Sequence, residues 1–261
     1  MTSVETRIQA LVQRYTLMEN NINKLRKALA SLGEGQQNAN TTPRNEATAV
    51  AHHRDPCDLK ELQPCPQDTP EVAALRRWCI EHSLTTAVFR WVPSDYYQHT
   101  LQWRRDELAA PSVHHLCKSI LMENTHCTNK DCGVRENSRY YLIVYPYTEK
   151  FDAEMVMRHV KGLNEGLGKK KFNFRLAAPD VALQLTGFGH GAVAPFGTPT
   201  EIPVILSDKI LQLTPAVFWM GGGHVDCKVR VDVEQFMEVI KPIVASVTTP
   251  LSAEELGQLV D

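Results

Sequence analysis

The stretch Leu185-Thr-Gly-Phe-Gly-His-Gly-Ala-Val-Ala-Pro-Phe-Gly197 sets four glycines and one proline within thirteen residues. Glycine lets a backbone approach a bound group closely and proline fixes a turn, so Gly191 and Pro195 are suited to hold N–H and C=O groups rigidly beside a ligand. Outward from this loop, the sequence alternates helical and strand patterns. Pro70 starts an amphipathic helix over 70–82 carrying Val72, Leu75, Trp78 and Cys79, and 87–91 reads as the next strand. A second helix is expected over 100–108. Strands at 115–122 and 140–145 flank a polar insert, 124–139, and Asp152 caps a helix to about 164. Further strands are predicted at 202–206, 217–219 and 227–231, and a helix follows at 233–244. The short links favour antiparallel pairing, so the expectation is a mixed α/β domain over 70–247 with a largely antiparallel sheet, not a doubly wound one.

The 261-residue chain is 43% hydrophobic, which suits a packed core, and its formal charge is only −2. A field that weak does not draw phosphate backbones from a distance, so any nucleic-acid contact has to be local. No apolar run approaches the roughly 18 residues that span a bilayer, and residues 1–15 lack a signal-like apolar core. The seven cysteines are odd in number and irregularly spaced, which points to reduced thiols and a cytoplasmic protein.

Before residue 70 the sequence changes character twice. Ile8, Leu11, Tyr15, Met18, Ile22, Leu25, Leu29 and Leu32 fall at alternating spacings of three and four, the seam of a coiled coil about 37 Å long at ~1.5 Å per residue. Residues 1–32 are read as such a helix, meeting a second copy, a foreign partner or its own domain. Residues 33–69 are rich in Gln, Asn, Thr and Pro and are read as a flexible linker, with Cys57 and Cys65 incidental. Residues 248–261 are read as a tail that includes a short helix.

Three segments resemble the YbaK/ProX family of aminoacyl-tRNA editing domains, which includes the editing domain inserted in bacterial prolyl-tRNA synthetases. The loop matches a pattern of the form TGYxxGGxSPxG through Thr186, Gly187, Gly191, Pro195 and Gly197. Leu116-Cys117-Lys118-Ser119-Ile120-Leu121 is similar to the family's strand bearing a Lys-Thr or Lys-Ser pair. Phe218-Trp-Met-Gly-Gly-Gly223, followed by a strand and by Val233-Glu-Gln-Phe236, is similar to the late glycine-rich turn and closing helix. Ala192 and Ala194 depart from the pattern, and with Ala194 any serine hydroxyl contact is lost. The resemblance implies a trans-acting deacylase of mischarged tRNA that needs no cofactor and no metal. It further implies that Lys118 is the principal catalytic residue and that Ser119, Gly191, Pro195, Gly221, Gly222 and Gly223 border the substrate. The implied substrates are alanine, cysteine, serine or threonine on tRNA for proline or a related tRNA, with the coiled coil a route to a synthetase complex.

Residue chemistry alone leaves alternatives open. A lysine in an apolar strand is commonly an edge residue, and three glycines make an ordinary turn. His190, His224 and Asp226 read equally well as surface polar residues. Arg158, Lys161, Lys169, Lys170, Lys171 and Arg175, opposed in sequence only by Glu165, form either an acceptor-stem contact or a solvated face. His114, His115, Cys117, His126, Cys127 and Cys132 have the ligand types of a zinc knuckle, although neighbouring strand positions point to opposite faces. A binding scaffold that keeps the editing fold without its chemistry is the competing function.

Overall fold

The computed structural model describes residues 59–258. The coiled-coil reading of 1–32 and the first part of the linker lie outside the described residues. Helices are α1 (Leu59–Leu62), α2 (Pro70–Glu81), α3 (Leu101–Glu107), α4 (Ala153–Gly162), α5 (Pro179–Thr186), α6 (Val233–Ile240) and α7 (Ala253–Gln258). Strands are β1 (Val88–Trp91), β2 (Cys117–Asn124), β3 (Tyr140–Pro146), β4 (Glu149–Phe151), β5 (Phe174–Leu176), β6 (Val204–Ser207), β7 (Val217–Gly221), β8 (Cys227–Asp232), β9 (Ile243–Ala245) and β10 (Thr248–Pro250). No helix among the described residues is long and apolar enough to cross a membrane.

A five-stranded sheet runs β5-β2-β3-β6-β9, a three-stranded antiparallel sheet runs β1-β8-β7, and β4 pairs with β10. The larger sheet is mixed, because β3–β6 and β6–β9 are parallel while β2 pairs antiparallel with both β3 and β5. The expectation of mostly antiparallel pairing therefore fails on one side of that sheet. A parallel bridge between Leu116 and Trp219 brings the start of β2 beside β7.

Period-2 alternation in β3 explains the layering. Leu142 and Val144 enter the main core with Leu121, Phe218, Val229, Val231 and Phe236, while Tyr141, Ile143 and Tyr145 pack on Val156, Met157 and Val160 of α4. Helix starts follow their caps: the Asp152 carboxylate accepts from Glu154 N and Met155 N, and that of Asp232 accepts from Glu234 N and Gln235 N.

The structure corrects several boundaries. Residues 59–69 are packed rather than linker: Leu62 is 1% exposed, Arg76 pairs with Asp68 at 2.8 Å, and Arg76 also donates to the Glu61 carbonyl. Burial alone would raise the Asp68 carboxyl, but bonds from Cys65 and the charge of Arg76 hold it below its ordinary value. The closing helix stops at Ile240, not 244, because Lys241 turns left-handed and Pro242 cannot continue the ladder, after which β9 begins. Thr248–Pro250 is a paired strand rather than a tail.

Candidate functional site

Helix α5 ends at Gly187, whose φ of +75° caps the helix with its N–H on Leu183 O at 2.8 Å. The following loop is fixed from several sides. Thr186 Oγ1, buried, donates to Ala182 O and accepts from Phe188 N. Phe188, Ala192, Ala194 and Phe196 enter the main core, and Phe196 stacks on Trp78 at 5.2 Å. Ala192 and Ala194, the departures from the family pattern, are both buried, so the hydroxyl absent at Ala194 would have had to be satisfied inside the protein.

The loop rests on the glycine turn that ends β7. A Cβ on Gly221 would lie 2.6 Å from Val193 O and 2.8 Å from Ala192 C, so only glycine permits this approach. Gly223 N donates to Ala192 O at 2.9 Å, tying the two loops together.

Where β2 starts, these elements line a small solvent-open pocket. Cys117, Lys118 and Ser119 line it from β2, Gly191 and Val193 from the loop, and Trp219, Met220 and Gly221 from β7. Tyr96, Tyr97, Leu108, Leu116, Tyr147 and Lys228 complete the wall, which carries two lysines and no carboxylate.

Lys118 lies opposite Tyr145 in the β2–β3 register, with its Nζ 5.7 Å from the Tyr145 ring centre and 4.7 Å from that of Tyr147. Among the described residues no carboxylate pairs with it. Ser119 Oγ and Trp219 Nε1 are buried without a hydrogen-bond partner, an arrangement that a bound ligand can satisfy. Cys117 is also in the lining, but burial pushes its thiol far above the ordinary range, so it stays protonated and is a poor nucleophile.

Of the residues singled out by sequence, Lys118, Ser119, Gly191 and Gly221 thus share one cavity. Pro195, Gly222 and Gly223 are buried and are not among its lining residues. Lys169, Lys170 and Lys171 form an exposed 3-10 turn at the other end of β2, where Asn124 Nδ2 donates to Lys171 O. Asn124 is six residue steps along the strand from Lys118, about 20 Å at ~3.3 Å per residue. Two members of the basic stretch are already paired, Arg175 with Glu123 at 3.1 Å and Arg158 with Glu154 at 3.1 Å, so Glu165 is not its only opponent. His190 is exposed; His224 Nδ1 accepts from Asp226 N; neither they nor Asp226 line the cavity.

The zinc alternative does not assemble. Among the described residues no group of three His, Cys, Asp or Glu could hold a metal ion. His115 donates through Nε2 to Pro215 O and meets Ser112 Oγ at Nδ1, and burial lowers its pKa. His114 is bonded to Thr148, His126 to Lys170 O and the Cys127 thiol to Asn137 O.

Sequence reading missed Lys228, Tyr97 and Trp219. The alternation Cys227-Lys-Val-Arg-Val did carry a signal, because Cys227, Val229 and Val231 face the core and leave Lys228 and Arg230 on the other face. The register Gly221 to Lys228, which puts that lysine at the cavity, is a tertiary fact.

No curated protein matches the chain. A solved structure described as a candidate trans-editing enzyme for prolyl tRNA synthetase is similar at a TM-score of 0.56 and 18% identity, covering 70% of this chain and 99% of that one. A structure from work on epitope backbone grafting onto scaffold proteins matches at 0.55 and 17%, covering 70% and 100%. The hypothetical protein APE2540 matches at 0.51 and 18%, covering 67% and 99%. These likenesses establish the fold. Residues 106–239, just over half of the 261, match the family described as the aminoacyl-tRNA editing domain. That segment contains Lys118, the glycine loop and the Gly221 turn, and the chain belongs to the aminoacyl-tRNA editing domain family.

Proposed function

We propose that this protein is a deacylase acting in trans on mischarged tRNA. The observation that carries the reading is the convergence of Lys118, the Gly191 turn and Gly221 on one cavity within a domain of the editing family. An aminoacyl-tRNA is an activated ester, so its hydrolysis needs a placed water and stabilised charge more than a strong nucleophile. In this reaction water adds to the ester carbonyl carbon, the bond from that carbon to the ribose oxygen breaks, and the ribose oxygen takes a proton. Free amino acid and uncharged tRNA leave. Lys118 anchors the terminal nucleotide or offsets the developing oxyanion, and the vicinal ribose hydroxyl helps to activate water. Ser119 Oγ is a hydrogen-bonding group for the substrate, and Trp219 Nε1 is a second. Pro195, Gly222 and Gly223 act from behind the wall by holding the loops in shape.

The substrates to test first are alanine, cysteine, serine and threonine on tRNA for proline. A similar fold described as a candidate trans-editing enzyme for prolyl tRNA synthetase supports that choice. The full chain should release amino acid from at least one mischarged tRNA in such a panel while sparing correctly charged tRNA. A scaffold without chemistry would bind the tRNA and leave every ester at its spontaneous rate.

The exposed turn at Lys169, Lys170 and Lys171 is proposed to follow acceptor-stem phosphates. Changing all three to glutamine should weaken tRNA binding severalfold at low salt and flatten its salt dependence, by a slope of about 0.7–0.9 per lost contact. The amino acid preferred should not change. Equal affinity across a salt titration would remove the turn from the interface.

Residues 1–32 are proposed to recruit the domain to a synthetase assembly or to a second copy, which raises its effective concentration near freshly charged tRNA. Because Leu59 and Leu62 pack on the domain's core, the deletion that tests this ends at residue 58. It should spare hydrolysis in dilute solution and abolish co-purification and self-association. Retained association would place the contact in the folded domain.

A further inference from the structure

Lys228 is 3% exposed on β8, directly opposite Gly221. An ammonium is buried to that degree only where hydrogen bonds and π faces replace its water. Its Nζ donates to Val225 O at 2.6 Å and to the Tyr97 hydroxyl at 3.0 Å, and lies 4.4 Å from the Tyr97 ring centre. Tyr97 in turn donates its hydroxyl proton to the carbonyl of Gly191 at 2.9 Å. The same ring covers that glycine, since a Cβ there would sit 3.2 Å from Tyr97 Cε2. Beneath it Arg104, 1% exposed, donates to the backbone carbonyls of Tyr97 and His99. Tyr97 is therefore held through both backbone and side chain, and Gly191 is held by Tyr97.

We propose that Lys228 and Tyr97 are positioning residues that set the Gly191 carbonyl and the orientation of its loop, with Lys228 acting through Tyr97. An ammonium donating to the phenol oxygen polarises the O–H and strengthens the bond that it makes to Gly191. Tyr97 precedes the family-matched segment 106–239, so the cavity draws a determinant from outside the matched domain. The kinetic consequence rests on the deacylase reading, whereas the effect on the loop does not.

The test uses the full chain with Tyr97→Phe, Lys228→Met and the double variant. Amide hydrogen exchange over residues 187–197 should quicken in each single variant, and the double should be no faster than the faster single. Deacylation should lose about 5–10-fold in kcat, the scale of one hydrogen bond, with KM held within about two-fold. The double should match the worse single rather than the product of the two losses. Unchanged loop exchange in both single variants overturns the proposal, as do losses that multiply. A looser loop in a protein whose wild type clears no mischarged tRNA would leave the positioning pair standing and refute the deacylase reading. If Lys228→Met does not fold, Tyr97→Phe, which deletes one oxygen, decides the matter by its loop exchange alone.

Discussion

Lys118→Ala is expected to lower kcat for deacylation by about 10²–10³-fold, the usual effect of deleting one group that stabilises transition-state charge. Stability should hardly move. The side chain lies over the faces of Tyr145 and Tyr147, and such cation–π contacts are worth about 0.5–1 kcal/mol where partly exposed. In a domain of this size that corresponds to a Tm shift of about 2–4 °C at most. Single-turnover hydrolysis and a melting curve on the same preparation separate the two effects. Near-normal turnover would remove Lys118 from the chemistry, and a collapsed melting curve would make it a structural residue.

Gly221→Val should be nearly as damaging for a different reason. Its Cβ would meet Val193 O at 2.6 Å and Ala192 C at 2.8 Å, and both are backbone atoms that cannot rotate away. Either β7 or the glycine loop must move, at a cost of about 1–3 kcal/mol of stability for overpacking. A loop displaced by about 1 Å from its reacting geometry costs on the order of 10²-fold in kcat/KM. Gly189→Ala provides the contrast within the same loop, because a Cβ there meets nothing within 4 Å. Kinetics for the two variants side by side should show a large loss at Gly221 and almost none at Gly189. Equal behaviour would mean that the contact between loop and turn does not shape the site.

How much of this was legible in sequence depended on how local the cause was. The caps at Asp152 and Asp232 and the alternation in β3 act within a few residues, and the helices and strand that they imply are present. Lys241 and Pro242 end the helix that had been expected to run to 244, the first by turning left-handed and the second by lacking an N–H. Residues 59–69 look like linker because their order comes from elsewhere, from Arg76 on α2 and Trp91 on β1 reaching Asp68. The site divided in the same way. Lys118 and the glycine loop could be found because a contiguous motif marks each. Lys228 and Tyr97 could not, since they lie 131 positions apart and meet only through the register of β7 with β8 and the fold of the 93–99 segment. Arg175 misled for the same reason, its partner Glu123 lying on the neighbouring strand.

The most direct measurement is a structure of the full chain bound to an aminoacyl-adenosine whose ester is replaced by an amide. The amide carbonyl is expected in the cavity between Lys118 and the backbone of Gly191 and Gly221, with Ser119 Oγ or Trp219 Nε1 gaining a partner. An analogue seated anywhere else, with that cavity empty and the Lys118 ammonium turned away from it, would rule out this cavity as the deacylation site.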